Sequence, residues 1–187
     1  RGHLRLSFVA GHRAYQDYAL KHDLLTRLSA LLSEPIENVA VAVERVQDKL
    51  TELERENKRL LEQVLVAEAQ ELAKSAVSLC PARYLVRELS ERSLDDARFL
   101  ASRLAQCDHM LVAFGLPGEP YRLVAAAGAD TGVAVGPLLK AALAKYEGKG
   151  GGSPRAAQGA VASSNGPSAL AQLEQDFIAA LQARQSE

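Results

Sequence analysis

Apolar positions in this chain change period along its length, and each change marks an element. Leu4 to Ala10 alternate apolar and polar side chains before meeting Gly11, a strand pattern. From Arg13 to Leu32 the period becomes helical, with Ala14, Tyr18, Leu25, Leu28 and Leu32 on one stripe. Pro35 then suits the first turn of a new helix, whose N-terminus Glu37 complements. Val39, Val43, Val46, Leu50, Leu53, Asn57, Leu60, Val64 and Ala67 follow in steps of four and three, a heptad seam without internal Gly or Pro. A helix from Ile36 to about Ala76 is about 60 Å long at 1.5 Å per residue, more than a small compact domain needs. Its outer face carries Glu44, Asp48, Glu52, Glu54, Lys58 and Glu62, a solvated charge run. The short linker at Ser33 to Pro35 predicts an antiparallel hairpin of the two helices.

Cys80-Pro81 ends that regime, because proline disfavours helix in the residue before it. Tyr84 to Leu89 reads as a strand. Ser93 reads as an N-cap, with Asp95 and Asp96 in the first turn of a helix striped by Leu94, Ala97, Leu100, Ala101 and Leu104. His109 to Phe114 and Tyr121 to Ala127 predict a hairpin with a longer loop. A helix over Val135 to Glu147 leads into the glycine-rich stretch Gly148 to Gly159, followed by a short strand over Gln158 to Ala162 and a last helix over Ser168 to Ala183. The fold class expected is α+β, that is, mixed α/β: a long helical coiled-coil hairpin, then a small α/β domain with antiparallel and crossover-connected strands in one mixed sheet. The divisions are a remnant strand over 1–10, a helical hairpin over 11–79, and an α/β domain over 80–187 with its glycine-rich loop at 148–159. The opening strand has no local partner, which predicts that a domain upstream is missing.

Composition narrows the function classes. Hydrophobic residues at 48% and charged residues at 24% suit a globular chain, and 5% aromatics favour helices over an all-β fold. The net charge of −1 supplies no global field toward nucleic acid, so such binding needs a local patch. Cys80 and Cys107 are too few for a disulfide scaffold. No leader-like segment or membrane-length apolar run is present, so a cytoplasmic setting and no membrane partner are expected.

The one stretch that invites chemistry is Gly148-Lys149-Gly150-Gly151-Gly152-Ser153-Pro154-Arg155-Ala156-Ala157-Gln158-Gly159. Consecutive glycines permit positive φ and a run of converging N–H groups, a nest for anions, here flanked by Lys149 and Arg155. The stretch follows a helix, unlike a Walker loop, which runs into one. A plain helix-to-strand turn is the alternative. Elsewhere His3, His12, His22 and His109 lack ligand spacing, so no metal or cofactor is expected in this chain. Asp95 and Asp96 suit a helix start, Asp130 a turn, and Ser153, Ser163 and Ser164 have no matched base. No catalytic site is expected.

Gly148 to Gly159 resembles the signature of the DHH-associated domain found at the C-terminus of alanyl-tRNA synthetases, of stand-alone alanyl-tRNA editing proteins and of DHH-type phosphoesterases. Ala157-Gln158-Gly159 is similar to the synthetase and editing branch. Ser153 stands where the phosphoesterases carry histidine. Leu6 to Ala14 is similar to the closing strand of the tRNA editing domain, so the resemblance covers essentially the whole chain. It implies the C-terminal part of an alanyl-tRNA editing protein, an aminoacyl-tRNA hydrolase whose zinc site belongs to the missing upstream domain.

On that reading the chain is a tRNA-binding accessory module. Gly150, Gly151 and Gly152 offer N–H groups to phosphates, Lys145, Lys149 and Arg155 supply charge, and Ser153 and Gln158 add polar contacts. Two alternatives accompany it: the substrate-binding half of a phosphoesterase acting on short oligonucleotides, and a dimerisation element. Val46, Leu50, Leu53, Asn57, Leu60 and Val64 are the candidate oligomerisation residues; a homodimer would form through them or through the C-terminal domain. Asn57 at a seam position can set register or oligomeric state.

Overall fold

The structure, a computed structural model, describes residues 8, 10–79 and 81–185. The expected strand over Leu4 to Ala10 lies largely outside them. The chain divides into two units, 1–59 and 60–187.

In the first unit, helix α1 (His12–Leu32) ends where Ser33 turns left-handed, with φ 54°. The N–H groups of Ser33 and Glu34 bond back to the carbonyls of Ala30 and Ser29 at 3.4 and 3.1 Å, which satisfies the end of the helix. Pro35 precedes a 3-10 turn, Ile36–Asn38, that opens into α2 (Val39–Lys74). Arg45 pairs with Glu34 at 3.2 Å across this turn. No residue of α1 is buried, and Tyr15, Tyr18, Leu25 and Leu28 are exposed. The seam of α2 is open too: Val46 is 56% exposed and Leu50 57%.

The second unit takes in the end of α2, whose Leu65, Ala69 and Leu72 are buried. A strand that the sequence pattern does not predict, β1 (Val77–Leu79), pairs antiparallel with β2 (Ala82–Glu88). Helix α3 (Leu94–Leu104) starts in a full capping box. The Asp96 N–H donates to Ser93 Oγ at 3.1 Å, and the Ser93 N–H donates to Asp96 Oδ2 at 3.2 Å. It is the crossover that lets β3 (Met110–Leu116) lie parallel to β2. β4 (Tyr121–Ala127) returns antiparallel to β3. Helix α4 (Val135–Ala144) stops three residues short of the expected Glu147, because the Tyr146 and Gly148 N–H groups both turn back to the Leu143 carbonyl.

The glycine-rich stretch is a β-hairpin, where the sequence predicts a loop. β5 (Lys149–Gly152) and β6 (Ala156–Val161) pair antiparallel around a turn at residues 153–155. A 3-10 turn, Ser163–Asn165, leads into α5 (Gly166–Gln185). The six strands form one mixed sheet in the order β1-β2-β3-β4-β6-β5, with β5 at an edge.

The strand period divides the side chains between two cores. Tyr84, Leu111, Ala113, Leu123, Ala125, Ala157 and Val161 face α4 and α5 and close over Leu139, Leu143, Leu173 and Phe177. Leu85, Met110, Val112, Phe114, Val124 and Ala126 face α3 and the end of α2. No residue of β5 or β6 belongs to the second core, so that side of the hairpin is left uncovered.

Candidate functional site

The hairpin is held extended by packing. A Cβ on Gly150 would stand 2.5 Å from Leu143 Cδ1, and one on Gly148 would stand 2.9 Å from Leu143 Cδ2. One on Gly159 would collide with the same leucine, and one on Gly152 with Ala156 O. None of the positive-φ glycines among the described residues lies in this stretch, so the expected nest conformation is not formed. Ser153 organises the turn: its N–H donates to the Ala156 carbonyl at 2.8 Å, and its Oγ accepts from the Ala156 N–H at 3.1 Å. The Pro154 carbonyl accepts from the Val135 N–H at 2.9 Å, which docks the turn on the start of α4. With residues 153 and 156 bonded, the alternation of an antiparallel ladder leaves the N–H groups of Gly150 and Gly152 on the outer edge of the sheet.

Register defines the open face, because cross-strand partners share a side. One row runs Leu116, Arg122, Ala160, Lys149; the next runs Phe114, Val124, Gln158, Gly151; a third runs Val112, Ala126, Ala156. Where α3 ends its cover, a cleft of about 960 Å³ begins, with Val124, Ala126, Ala156, Gln158 and Gly151 as floor and Arg98, Ala101 and Ser102 as wall. Gly151 differs from its neighbours in the hairpin. A Cβ there meets nothing within 4 Å and its φ is not left-handed, so nothing in the fold requires a glycine.

Four cations surround this small-residue floor. Arg98 and Arg155 line the cleft, and exposed Arg122 and Lys149 stand in the adjoining row. The Arg98 Nε donates to Gln158 Oε1 at 2.7 Å, Nη2 donates to the same oxygen, and Nη1 donates to Asp95 Oδ1 at 2.9 Å. Asp108 and Asp130 line the far end. Asp130 Oδ2 accepts the His109 N–H at 2.8 Å and lies 3.4 Å from His109 Nδ1. That backbone bond, more than the imidazole charge, holds the Asp130 carboxyl below its ordinary range. Asp130 thereby fixes His109, which takes a left-handed φ of 54° just before β3.

Of the residues expected from the sequence, Gly151, Gly152, Arg155 and Gln158 line the cleft together. Lys149 stands beside it, Gly150 faces Leu143, and Ser153 is taken up by the turn. Lys145 is the C-cap of α4, the helix over the opposite face. Arg98 and Arg122 belong to the site without being expected from the sequence. Arg122 carries a signal, as the one charged residue within an apolar strand; Arg98 carries none.

A family model, the DHHA1 domain, matches residues 82–183. The chain belongs to the DHHA1 domain family. The match takes in everything from β2 nearly to the end of α5, and so the whole of the cleft. Among curated relatives, the alanine-tRNA ligase of Streptococcus gordonii is 30% identical over 157 residues, covering 82% of this chain and 18% of the ligase. That of Salinispora tropica is 31% identical over 164 residues, covering 83% of this chain and again 18% of the ligase. The chain thus spans under a fifth of the length of these relatives. Among solved structures, the C-Ala domain of Aquifex aeolicus alanyl-tRNA synthetase has a TM-score of 0.48 at 19% identity, over 54% of this chain and 95% of that one. RecJ of Thermus thermophilus has a TM-score of 0.49 at 17% identity, over 80% of this chain and 27% of that one. No helix among the described residues of this DHHA1 protein is long and apolar enough to cross a membrane.

Proposed function

We propose that this DHHA1 chain is the nucleic-acid-binding accessory module of a cytoplasmic alanyl-tRNA editing protein, and that it takes tRNA on the open face of its sheet. The observation that carries the reading is Gly151: a glycine with no internal reason to be one, set in a cleft floor between cations. A strand glycine of that kind marks close approach by another molecule. Arg155, Lys149 and Arg122 lie on the side from which a polyanion would come, and the outward N–H groups of Gly150 and Gly152 add donors at the edge. Interactions of this kind position a nucleic acid without reading its sequence. The kinship with alanine-tRNA ligases supports tRNA as the partner.

The test is binding of a labelled tRNA transcript across a salt series. Lys149→Ala with Arg155→Ala should weaken affinity at least about tenfold and flatten the salt dependence by about 0.9 in log–log slope for each phosphate that is no longer neutralised. A folded double variant with unchanged affinity overturns the assignment.

A second reading concerns helix α2 and stands on a separate observation, the exposure of Val46, Leu50, Leu53, Leu60 and Val64 along one face of it. An apolar heptad seam of this length, with Asn57 at a seam position, fits pairing with a second copy. Sedimentation of the wild type against Leu53→Asp and Leu60→Asp tests it: a dimer that the substitutions dissociate is expected, and a monomeric wild type overturns it.

A further inference from the structure

Resting on the binding cleft proposed above, we infer that Arg98 is a positioning residue that locks the Gln158 amide so that it presents only hydrogen-bond donors to the bound nucleic acid. A glutamine amide ordinarily flips at little cost, offering either its carbonyl or its NH2 group to a ligand. Here the choice is made by chemistry. A guanidinium has donors and no acceptor, so the Gln158 atom that meets Arg98 has to be the oxygen. Two guanidinium nitrogens reach that oxygen, Nε at 2.7 Å and Nη2, and flipping the amide would set NH2 against both. Asp95 holds the third nitrogen at 2.9 Å and keeps the guanidinium from swinging away. The pair joins the first turns of α3 to the middle of β6, sixty residues apart, and both residues line the cleft. Nε2 of Gln158 has no hydrogen-bond partner among the described residues.

The lock changes what the site offers. Three of the five Arg98 N–H donors, those aimed at Gln158 and Asp95, are engaged inside the protein, and its part in binding runs through Gln158 and not through a phosphate of its own. The cleft floor, with the Gln158 NH2 group and Arg155 near Gly151, then favours acceptor atoms in the ligand, either phosphate oxygens or base carbonyls. A locked amide loses no orientational freedom on binding, which is how such supporting bonds sharpen recognition.

A double-mutant cycle on the full chain, read by anisotropy of a labelled tRNA transcript over a salt series, tests the inference. Gln158→Ala is expected to weaken binding about tenfold and Arg98→Met about three- to tenfold. In the Gln158→Ala background, Arg98→Met should add less than about twofold, because the interaction it served is gone. The salt slope of Arg98→Met should match that of the wild type. Gln158→Glu supplies the check on folding: its carboxylate still pairs with Arg98, so the melting temperature is kept, while the loss of the NH2 donor weakens binding at least as far as Gln158→Ala does. Competition with polyphosphate and with poly(rU) separates the two acceptor sources, since phosphate oxygens are common to both competitors and base carbonyls occur only in the second. If Arg98→Met costs the same in both backgrounds and flattens the slope by about 0.9, Arg98 holds a phosphate itself and the inference is overturned. Wild-type affinity in Gln158→Glu also overturns it. A wild-type chain that binds no tRNA at any salt overturns the proposed function and this inference together, whereas binding with an additive cycle overturns this inference alone.

Discussion

The two faces of the sheet are made by the same strands and finished differently. On one, α4 and α5 close over side chains from β2, β3, β4 and β6, with Phe177 fully buried at the centre. On the other, α3 and the end of α2 cover β2 to β4 and stop, leaving the β5–β6 hairpin open beside the cleft. Glycines sort by the same division. Gly150 and Gly159 on the covered side are pressed against Leu143, whereas Gly151 on the open side has clear space where a side chain would stand. A run of three glycines therefore carries two unrelated demands, tight packing beneath and clearance above.

The sharpest way to break this comparison is to perturb each face and ask which responds in stability. Phe177→Ala should be the most damaging, at about 3–5 kcal/mol by denaturant unfolding, since it empties the centre of the covered core. Gly159→Val should follow at about 1–3 kcal/mol, because its new methyls drive into Leu143 and the backbone of Gly150. Gly151→Val should stay within about 0.5 kcal/mol of wild type. A destabilisation at Gly151 as large as that at Gly159 would erase the distinction between the faces.

That distinction is only partly legible in the sequence. β4 and α3 are plain because each carries its own boundaries: Tyr121 to Ala127 is an apolar run between Pro120 and Gly128, and Ser93 with Asp96 announces the start of a helix. The mixed α+β class follows from the order of such elements. β1 is hidden because three residues are too few to show a period. The hairpin reads as a loop because glycine is a poor strand former on its own; packing against Leu143, which no local pattern announces, overrides that preference. The cleft's cations depend on register. Arg122 and Lys149 share a row only because both align with Ala160, and Arg98 reaches Gln158 across sixty residues. The heptad seam of α2 is visible as a pattern, but a pattern names no partner.

Binding sharpens the comparison where stability is silent. Gly151→Val puts a branched side chain on the cleft floor without disturbing anything beneath it, so tRNA affinity should fall about tenfold, equivalent to about 1.4 kcal/mol, at an unchanged melting temperature. Arg122→Ala should act in the same direction by less, and through the salt slope, as removal of a single phosphate-neutralising cation does. Unchanged affinity in Gly151→Val would leave the open glycine without a ligand-based reason.

The smallest effect lies at the end of the cleft, where Asp130 holds His109. Because the His109 N–H bonds to the ionised carboxylate, the folded chain keeps Asp130 charged to lower pH than the unfolded chain does. A depressed carboxyl contributes stability that is present above its unfolded value of about 3.9 and is lost as pH falls through the lower folded value. Asp130→Asn keeps a carbonyl to accept the same N–H but removes the charge. The variant should therefore melt slightly below wild type at pH 7, and the gap should begin to narrow as the pH is taken below about 4 and close only as it falls through the lower folded value, where the wild-type carboxyl takes up its proton as well. Thermal melts of both proteins in a series from about pH 7 down through the acid range decide it, since the gap closes only where the depressed carboxyl of the folded chain is protonated. A gap that persists at the acid end would mean that shape, and not charge, is what Asp130 supplies to the left-handed turn at His109, and the acidic end of the cleft would then owe nothing to ionisation.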